Sequence, residues 1–128
     1  MVTFPAPDRP VLIVEDDPGL REALTSALEA DGYATLTASN GAEAVDLLRS
    51  GRQVCLILLD IRMPGSSGIE FLRTRRDDPA MADIPTIAYS GDGELREEVE
   101  ALGVALFFRK PLPARTLLDF IDQHRLRD

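Results

Sequence analysis

Five short apolar runs rich in β-branched residues recur along this chain, separated by segments whose apolar residues repeat with a helical period. The runs are Val11–Val14, Ala34–Ala38, Val54–Leu59, Ile84–Ala88 and Val104–Phe108. Strands alternating with helices in this way are the signature of an α/β fold in which helices cover both faces of a parallel sheet. Between the runs, Leu20, Leu24, Ala27 and Leu28 share one helical face, as do Ala44, Val45, Leu47 and Leu48. Leu95, Val99 and Leu102 mark a fourth helix and Leu117, Leu118, Ile121 and Leu126 a last one, while a third, from about Ile69, has a weaker pattern. Asp17-Pro18 starts one helix, Asn40 with Glu43 and Ser67 with Glu70 read as capping boxes, and Gly32, Gly51 and Gly103 stand just past helix ends. The expectation is a five-stranded, doubly wound (βα)5 domain.

That pattern occupies residues 10–128 as one domain after a leader at 1–9, and the chain's 128 residues, 45% of them apolar, suit one compact core. Three prolines and no long apolar stretch in Met1–Pro10 argue against a signal peptide or a membrane span. The lone cysteine, Cys55, reads as a small buried side chain in a reducing cytoplasm. Acidic residues outnumber basic ones by 22 to 14, for a net charge of −8, which disfavours direct nucleic-acid binding and attraction to anionic membrane.

An open parallel sheet binds its ligands beyond the carboxyl ends of its strands, where strand order reverses. The residues just after the apolar runs are therefore informative: Glu15-Asp16-Asp17 after the first, Asp60 after the third, Ser90 after the fourth and Lys110-Pro111 after the fifth. Carboxylates brought together repel one another unless a cation neutralises them, and a hard divalent ion is the natural solution. Glu15, Asp16 and Asp60 form a plausible cradle for magnesium, which often takes a further ligand from a phosphate oxygen. An Asp carboxylate beside such an ion can attack a phosphoryl group, whose charge the ion, Lys110, Ser90 and loop amides would share. Lys110 is the single lysine among 14 basic residues, which fits a position that needs a compact ammonium rather than a planar fork. Any one of these acids alone would be a solvated loop residue; four elements at the correct strand ends are not.

The motifs Val11-Leu12-Ile13-Val14-Glu15-Asp16-Asp17, Leu58-Leu59-Asp60-Ile61-Arg62-Met63-Pro64-Gly65, Thr86-Ile87-Ala88-Tyr89-Ser90-Gly91 and Phe107-Phe108-Arg109-Lys110-Pro111 closely resemble the response-regulator receiver family of two-component signal transduction, chemotaxis regulators included. The resemblance spans about residues 10–126. It implies a flavodoxin-like strand order 2-1-3-4-5, Asp60 as phosphoacceptor, and a Mg2+ (or Mn2+) site of Glu15, Asp16, Asp60 and the Arg62 backbone carbonyl. It further implies Ser90 as the switch hydroxyl, Lys110 as the phosphate-pairing base, a cis Lys110–Pro111 peptide, and Phe107 at an aromatic switch position where tyrosine is common. Arg62 and Asp92 match positions at the mouth of the site that influence how fast water removes the phosphate.

The implied partners are a sensor histidine kinase or histidine phosphotransfer protein as donor and a downstream protein reading the face of the fourth helix, fifth strand and fifth helix. The domain itself would be a cytoplasmic monomer or weak dimer, a phosphoacceptor and not an enzyme. Two other functions stand beside it: a phosphate-independent binding module on the same fold, and an aspartyl-phosphate phosphohydrolase. The latter usually places a second aspartate two residues after the nucleophile, where Arg62 stands. His124, the only histidine, reads as a solvated helix residue and weighs against a histidine phosphotransfer domain. Phe107 could equally be an ordinary strand aromatic half packed on the last helix. Met63 reads as a loop anchor under Asp60, Pro64-Gly65 as a turn, and Glu94, Glu97, Glu98 and Glu100 as a solvated helix face.

Overall fold

The computed structural model describes residues 9–63, 68–91, 93–111 and 114–124. Its elements alternate without exception: β1 (Val11–Val14), α1 (Pro18–Ala30), β2 (Thr35–Ala38), α2 (Gly41–Arg49), β3 (Leu56–Asp60), α3 (Gly68–Asp77), β4 (Thr86–Ser90), a 3-10 turn (Gly93–Leu95), α4 (Arg96–Ala101), β5 (Leu106–Arg109) and α5 (Ala114–His124). The five strands pair in parallel in the order β2-β1-β3-β4-β5.

The central strands β1, β3 and β4 are buried at every position, which is why β1 and most of β3 read as continuous apolar runs. Alternate residues feed two cores. Val11, Ile13, Leu56, Leu58 and Ile87 meet Leu24, Leu28, Leu117 and Leu118 of α1 and α5. Leu12, Val14, Ile57, Leu59 and Ala88 meet Ala44, Leu48, Phe71, Leu72 and Val99 of α2, α3 and α4. Each fully buried Leu or Ile contributes about 1.5–3 kcal/mol, so both faces are needed to hold the sheet.

The helix ends reflect local chemistry. The Asp17 carboxylate accepts from the Gly19 and Leu20 amides ahead of Pro18. Asn40 caps α2 through the Glu43 amide at 2.8 Å, but the reciprocal arm of the box goes elsewhere: Glu43 accepts from the Ser39 hydroxyl at 2.9 Å. Gly32, Gly51 and Gly103 end α1, α2 and α4 with φ of 91°, 95° and 88°.

Other expectations shift by one or two residues. Strands β3 and β4 begin later than their apolar runs and extend through Asp60 and Ser90, which are strand-terminal residues rather than loop residues. Helix α3 buries Arg75, whose Nε and Nη2 donate to the Ile84 carbonyl at 3.2 and 2.8 Å, so its apolar stripe is interrupted by a charge with a structural partner. The fourth helical stripe divides into the 3-10 turn and a six-residue α4. Ser67, Pro64, Gly65, Asp92 and Leu126, together with the side chains of Glu94 and His124, lie outside the described residues. Cys55 and Met63 are buried as expected, and Glu97, Glu98 and Glu100 are exposed.

Candidate functional site

Strand register aligns the site. Val14 pairs with Leu59 and Asp60 with Tyr89, so Glu15, Asp60 and Tyr89 stand at one level across β1, β3 and β4. All three share the parity of Ile13, Leu58 and Ile87, the residues that face α1 and α5. Order reverses between β1 and β3, and the acids flank that point.

Carboxylate oxygens of Glu15, Asp16 and Asp60 lie within 4.8 Å of one another. Glu15 and Asp60 are buried and Asp16 is half-buried. Lys110 Nζ stands 3.0 Å from Asp60 Oδ2 and 4.0 Å from Glu15 Oε1, yet keeps 33% of its side chain exposed, so a solvent-borne ligand can reach the ammonium. The Arg62 amide donates to Asp60 Oδ1 at 3.1 Å, and the Asp17 amide to Glu15 Oε2 at 3.1 Å. The Tyr89 hydroxyl donates to Glu15 Oε1 at 2.9 Å, and Arg21 Nη1 to the Glu15 carbonyl at 2.8 Å.

This crowding sets the electrostatics. Burial pushes the Glu15 carboxyl up to about 7; the Asp60 charge adds to the rise, while the Asp17 amide and the Tyr89 hydroxyl oppose it. Burial, then the Glu15 carboxylate, hold the Tyr89 phenol well above its ordinary range, so it stays a donor. The donor set is all oxygen and carries more negative charge than Lys110 balances. Such a set fits a hard divalent cation, held by Glu15, Asp16 and Asp60.

Of the residues expected at the site, Glu15, Asp16, Asp60 and Lys110 converge. Ser90 is buried at the end of β4, and its carbonyl accepts from the Lys110 amide at 2.8 Å, placing the two side by side. The Lys110–Pro111 peptide is cis. Arg62 is exposed beside Asp60. Phe107 corrects the strand-aromatic alternative: it does not pack on α5 but is 5% exposed on the α2–α4 side, beneath the Arg96 guanidinium at 4.9 Å from its ring centroid. Its neighbour Phe108 meets Phe120 of α5, with ring centroids 5.6 Å apart. Sequence reasoning missed Tyr89 and Arg21 as parts of the site. A phenol inside a buried strand needs a hydrogen-bond partner, and that was the available signal for Tyr89.

A family profile described as response regulator receiver domain matches residues 11–122. Sporulation initiation phosphotransferase F of Bacillus subtilis (strain 168) is 34% identical over 115 residues, which cover 89% of this chain and 91% of that protein. The phosphate regulon transcriptional regulatory protein PhoB of Pseudomonas aeruginosa is 37% identical over 110 residues, covering 84% of this chain. The chain spans 48% of the length of that regulator and 24% of that of the C4-dicarboxylate transport regulator DctD of the same organism. Among solved structures, the response regulator protein TrrA of Thermotoga maritima, in complex with Mg(2+)-BeF, superposes with a TM-score of 0.78 at 30% identity, covering 90% of this chain and 97% of that one. A response regulator receiver protein of Pseudomonas putida gives 0.81 at 33% identity, covering 92% and 99%.

An acidic pocket at the reversal point of a 2-1-3-4-5 sheet thus defines a class, the two-component receivers, whose members are typically phosphoacceptors rather than turnover enzymes. The chain belongs to the response regulator receiver domain family.

Proposed function

We propose that this chain is a phosphorylation-dependent signalling switch whose phosphoacceptor is Asp60. The observation that carries this reading is the Lys110 ammonium 3.0 Å from Asp60 Oδ2, where Asp60 is one of three clustered carboxylates. A carboxylate oxygen of Asp60 attacks phosphorus; the P–N bond to the donor imidazole breaks, and the departing nitrogen keeps the electron pair and takes a proton. Lys110, Ser90 and neighbouring amides receive the charge of the phosphoryl oxygens. Glu15, Asp16 and Asp60, with the Arg62 carbonyl, would hold Mg2+ or Mn2+, which supplies neutralising charge when bound.

The donor is a sensor histidine kinase or histidine phosphotransfer protein in the cytoplasm. The α4–β5–α5 face, where Phe107 lies under Arg96, is where a downstream protein partner reads the state. Among the described residues no helix is long and apolar enough to cross a membrane, and the acid excess argues against direct binding to nucleic acid.

The test is uptake of phosphate from acetyl phosphate or phosphoramidate with Mg2+, followed by mass spectrometry. Wild type should gain one phosphoryl group and Asp60→Asn none. Full incorporation in Asp60→Asn, with the label on another acid, would overturn the assignment. Absence of uptake in wild type would favour a phosphate-independent binding module.

A further inference from the structure

We propose that Tyr89 is a positioning residue of the acidic site, bracing Glu15 with its hydroxyl and Lys110 with its ring. This rests on the reading above in one respect, that Glu15, Asp16 and Asp60 hold a divalent cation.

The geometry is unusual in what one side chain spans. Tyr89 shares a level with Asp60 on the neighbouring strand, and its hydroxyl reaches Glu15 on the strand beyond. The ring is 3% exposed, so the hydroxyl needs an acceptor, and Glu15 Oε1 is the one it finds at 2.9 Å. The Asp17 amide holds the other oxygen, Oε2, at 3.1 Å. With both oxygens engaged, the three side-chain torsions of Glu15 are fixed and its carboxylate stays in the group with Asp16 and Asp60. Lys110 Nζ lies 5.4 Å from the centroid of the same ring, within cation–π range, while it contacts Asp60 at 3.0 Å. An aliphatic residue would suit the apolar surroundings of this place, which include Leu24 and Leu117. It would brace neither group.

The hydroxyl and the ring therefore have separable effects. Tyr89→Phe removes only the hold on Glu15. Removing an outer partner of a ligating carboxylate typically lowers metal affinity about 10–100-fold, so Mn2+ binding should weaken by about tenfold or more, with a smaller effect on the maximal rate of phosphate uptake at saturating Mg2+. Tyr89→Leu also removes the support under Lys110 and enlarges the cavity of about 480 Å³ that Tyr89 lines with Leu20, Leu24 and Leu117. Its maximal rate should fall as well.

Mn2+ binding is read directly from the paramagnetic resonance signal of the free ion in wild type, Tyr89→Phe, Glu15→Ala and the double variant. If Tyr89 acts through Glu15, the Phe substitution should have no further effect once Glu15 is alanine. Wild-type or tighter Mn2+ affinity in Tyr89→Phe would overturn the proposal, as would an undiminished loss in the Glu15→Ala background. A second measurement leaves Tyr89 in place. The chain has no tryptophan and two tyrosines, so in Tyr33→Phe the tyrosine emission comes from Tyr89 alone. It should change with Mg2+ along the binding curve, and an emission indifferent to bound Mg2+ would also sink the proposal. If wild type binds no divalent cation at all, the phosphoacceptor reading fails and takes this one with it; a wild type that binds beside an unaffected Tyr89→Phe condemns this one alone.

Discussion

Gly68→Ala is expected to slow phosphate uptake and destabilise the fold, although it adds one methyl group to a helix end. Gly68 opens α3 against the backbone that carries Asp60. A Cβ there would lie 2.7 Å from Ile61 Cα and 2.9 Å from the Asp60 carbonyl oxygen, while the Gly68 amide donates to the Ile61 carbonyl at 2.8 Å. Carbon atoms pack at about 3.5 Å or more, so the end of β3 and the start of α3 must separate by roughly 0.8 Å. The helix cannot simply swing away, because its other end is tied through Arg75 to the Ile84 carbonyl. Overpacking of this kind costs about 1–3 kcal/mol, and the better helix propensity of alanine offsets at most about 1 kcal/mol of it. A net loss of about 1–2 kcal/mol should lower the melting temperature by about 4–8 °C. A misplacement of 1 Å can cost about 100-fold in rate, and a displacement shared between two segments should slow uptake about tenfold. Urea denaturation and the rate of uptake from phosphoramidate read the two effects. Gly91→Ala is the control for stability, since a Cβ at Gly91 meets nothing within 4 Å. A Gly68→Ala protein as stable and as fast as wild type would refute the reasoning.

Three further outcomes are expected. Lys110→Arg should still accept phosphate but change structure poorly on phosphorylation, because a planar fork does not replace a point charge; amide chemical shifts that move as fully as in wild type would mean lysine is not specially needed. Glu15 binds its proton more tightly in the folded protein, its carboxyl being raised from 4.5 to about 7. Stability without divalent cation should therefore fall as pH rises through that window, by up to about 3 kcal/mol. The fall should vanish in Glu15→Gln, and parallel urea-midpoint curves for the two proteins would contradict it. Arg62, exposed beside Asp60, is expected to hinder attacking water, so Arg62→Ala should lose phosphate faster; an unchanged half-life of the phosphorylated protein means Arg62 does not guard it.

Much of this was legible because central parallel strands are buried on both faces and are therefore apolar along most of their length. Glu15, Asp16, Asp60 and Lys110 were legible because a parallel sheet collects the residues after its strands at one edge. What escaped depends on quantities that apolar runs do not carry. Asp60 and Ser90 continue their strands because backbone pairing does not need an apolar side chain. Whether Phe107 or Phe108 faces α5 depends on strand parity, and a shift of one residue reverses it. The Tyr89–Glu15 contact joins residues 74 apart and exists only through the registers of three strands. Arg75 reads as a surface charge until the carbonyl that receives it is in place.

The tip of β4 has, in effect, a reading frame. Tyr89 shares the parity of Ile87 and addresses the acids from the α1–α5 side, while Ser90 shares the parity of Ala88, on the side where Phe107 lies. Two successive residues thus speak to opposite halves of the molecule, and only their phase along the strand assigns which speaks to which. Deleting one residue between Thr86 and Ala88 would leave composition and hydropathy almost unchanged yet transpose the two, sending the phenol towards α4 and the hydroxyl of serine towards Glu15. Aliphatic exchanges within β4 preserve the phase. A single-residue deletion or insertion there does not, and this segment should tolerate the first kind of change far better than the second.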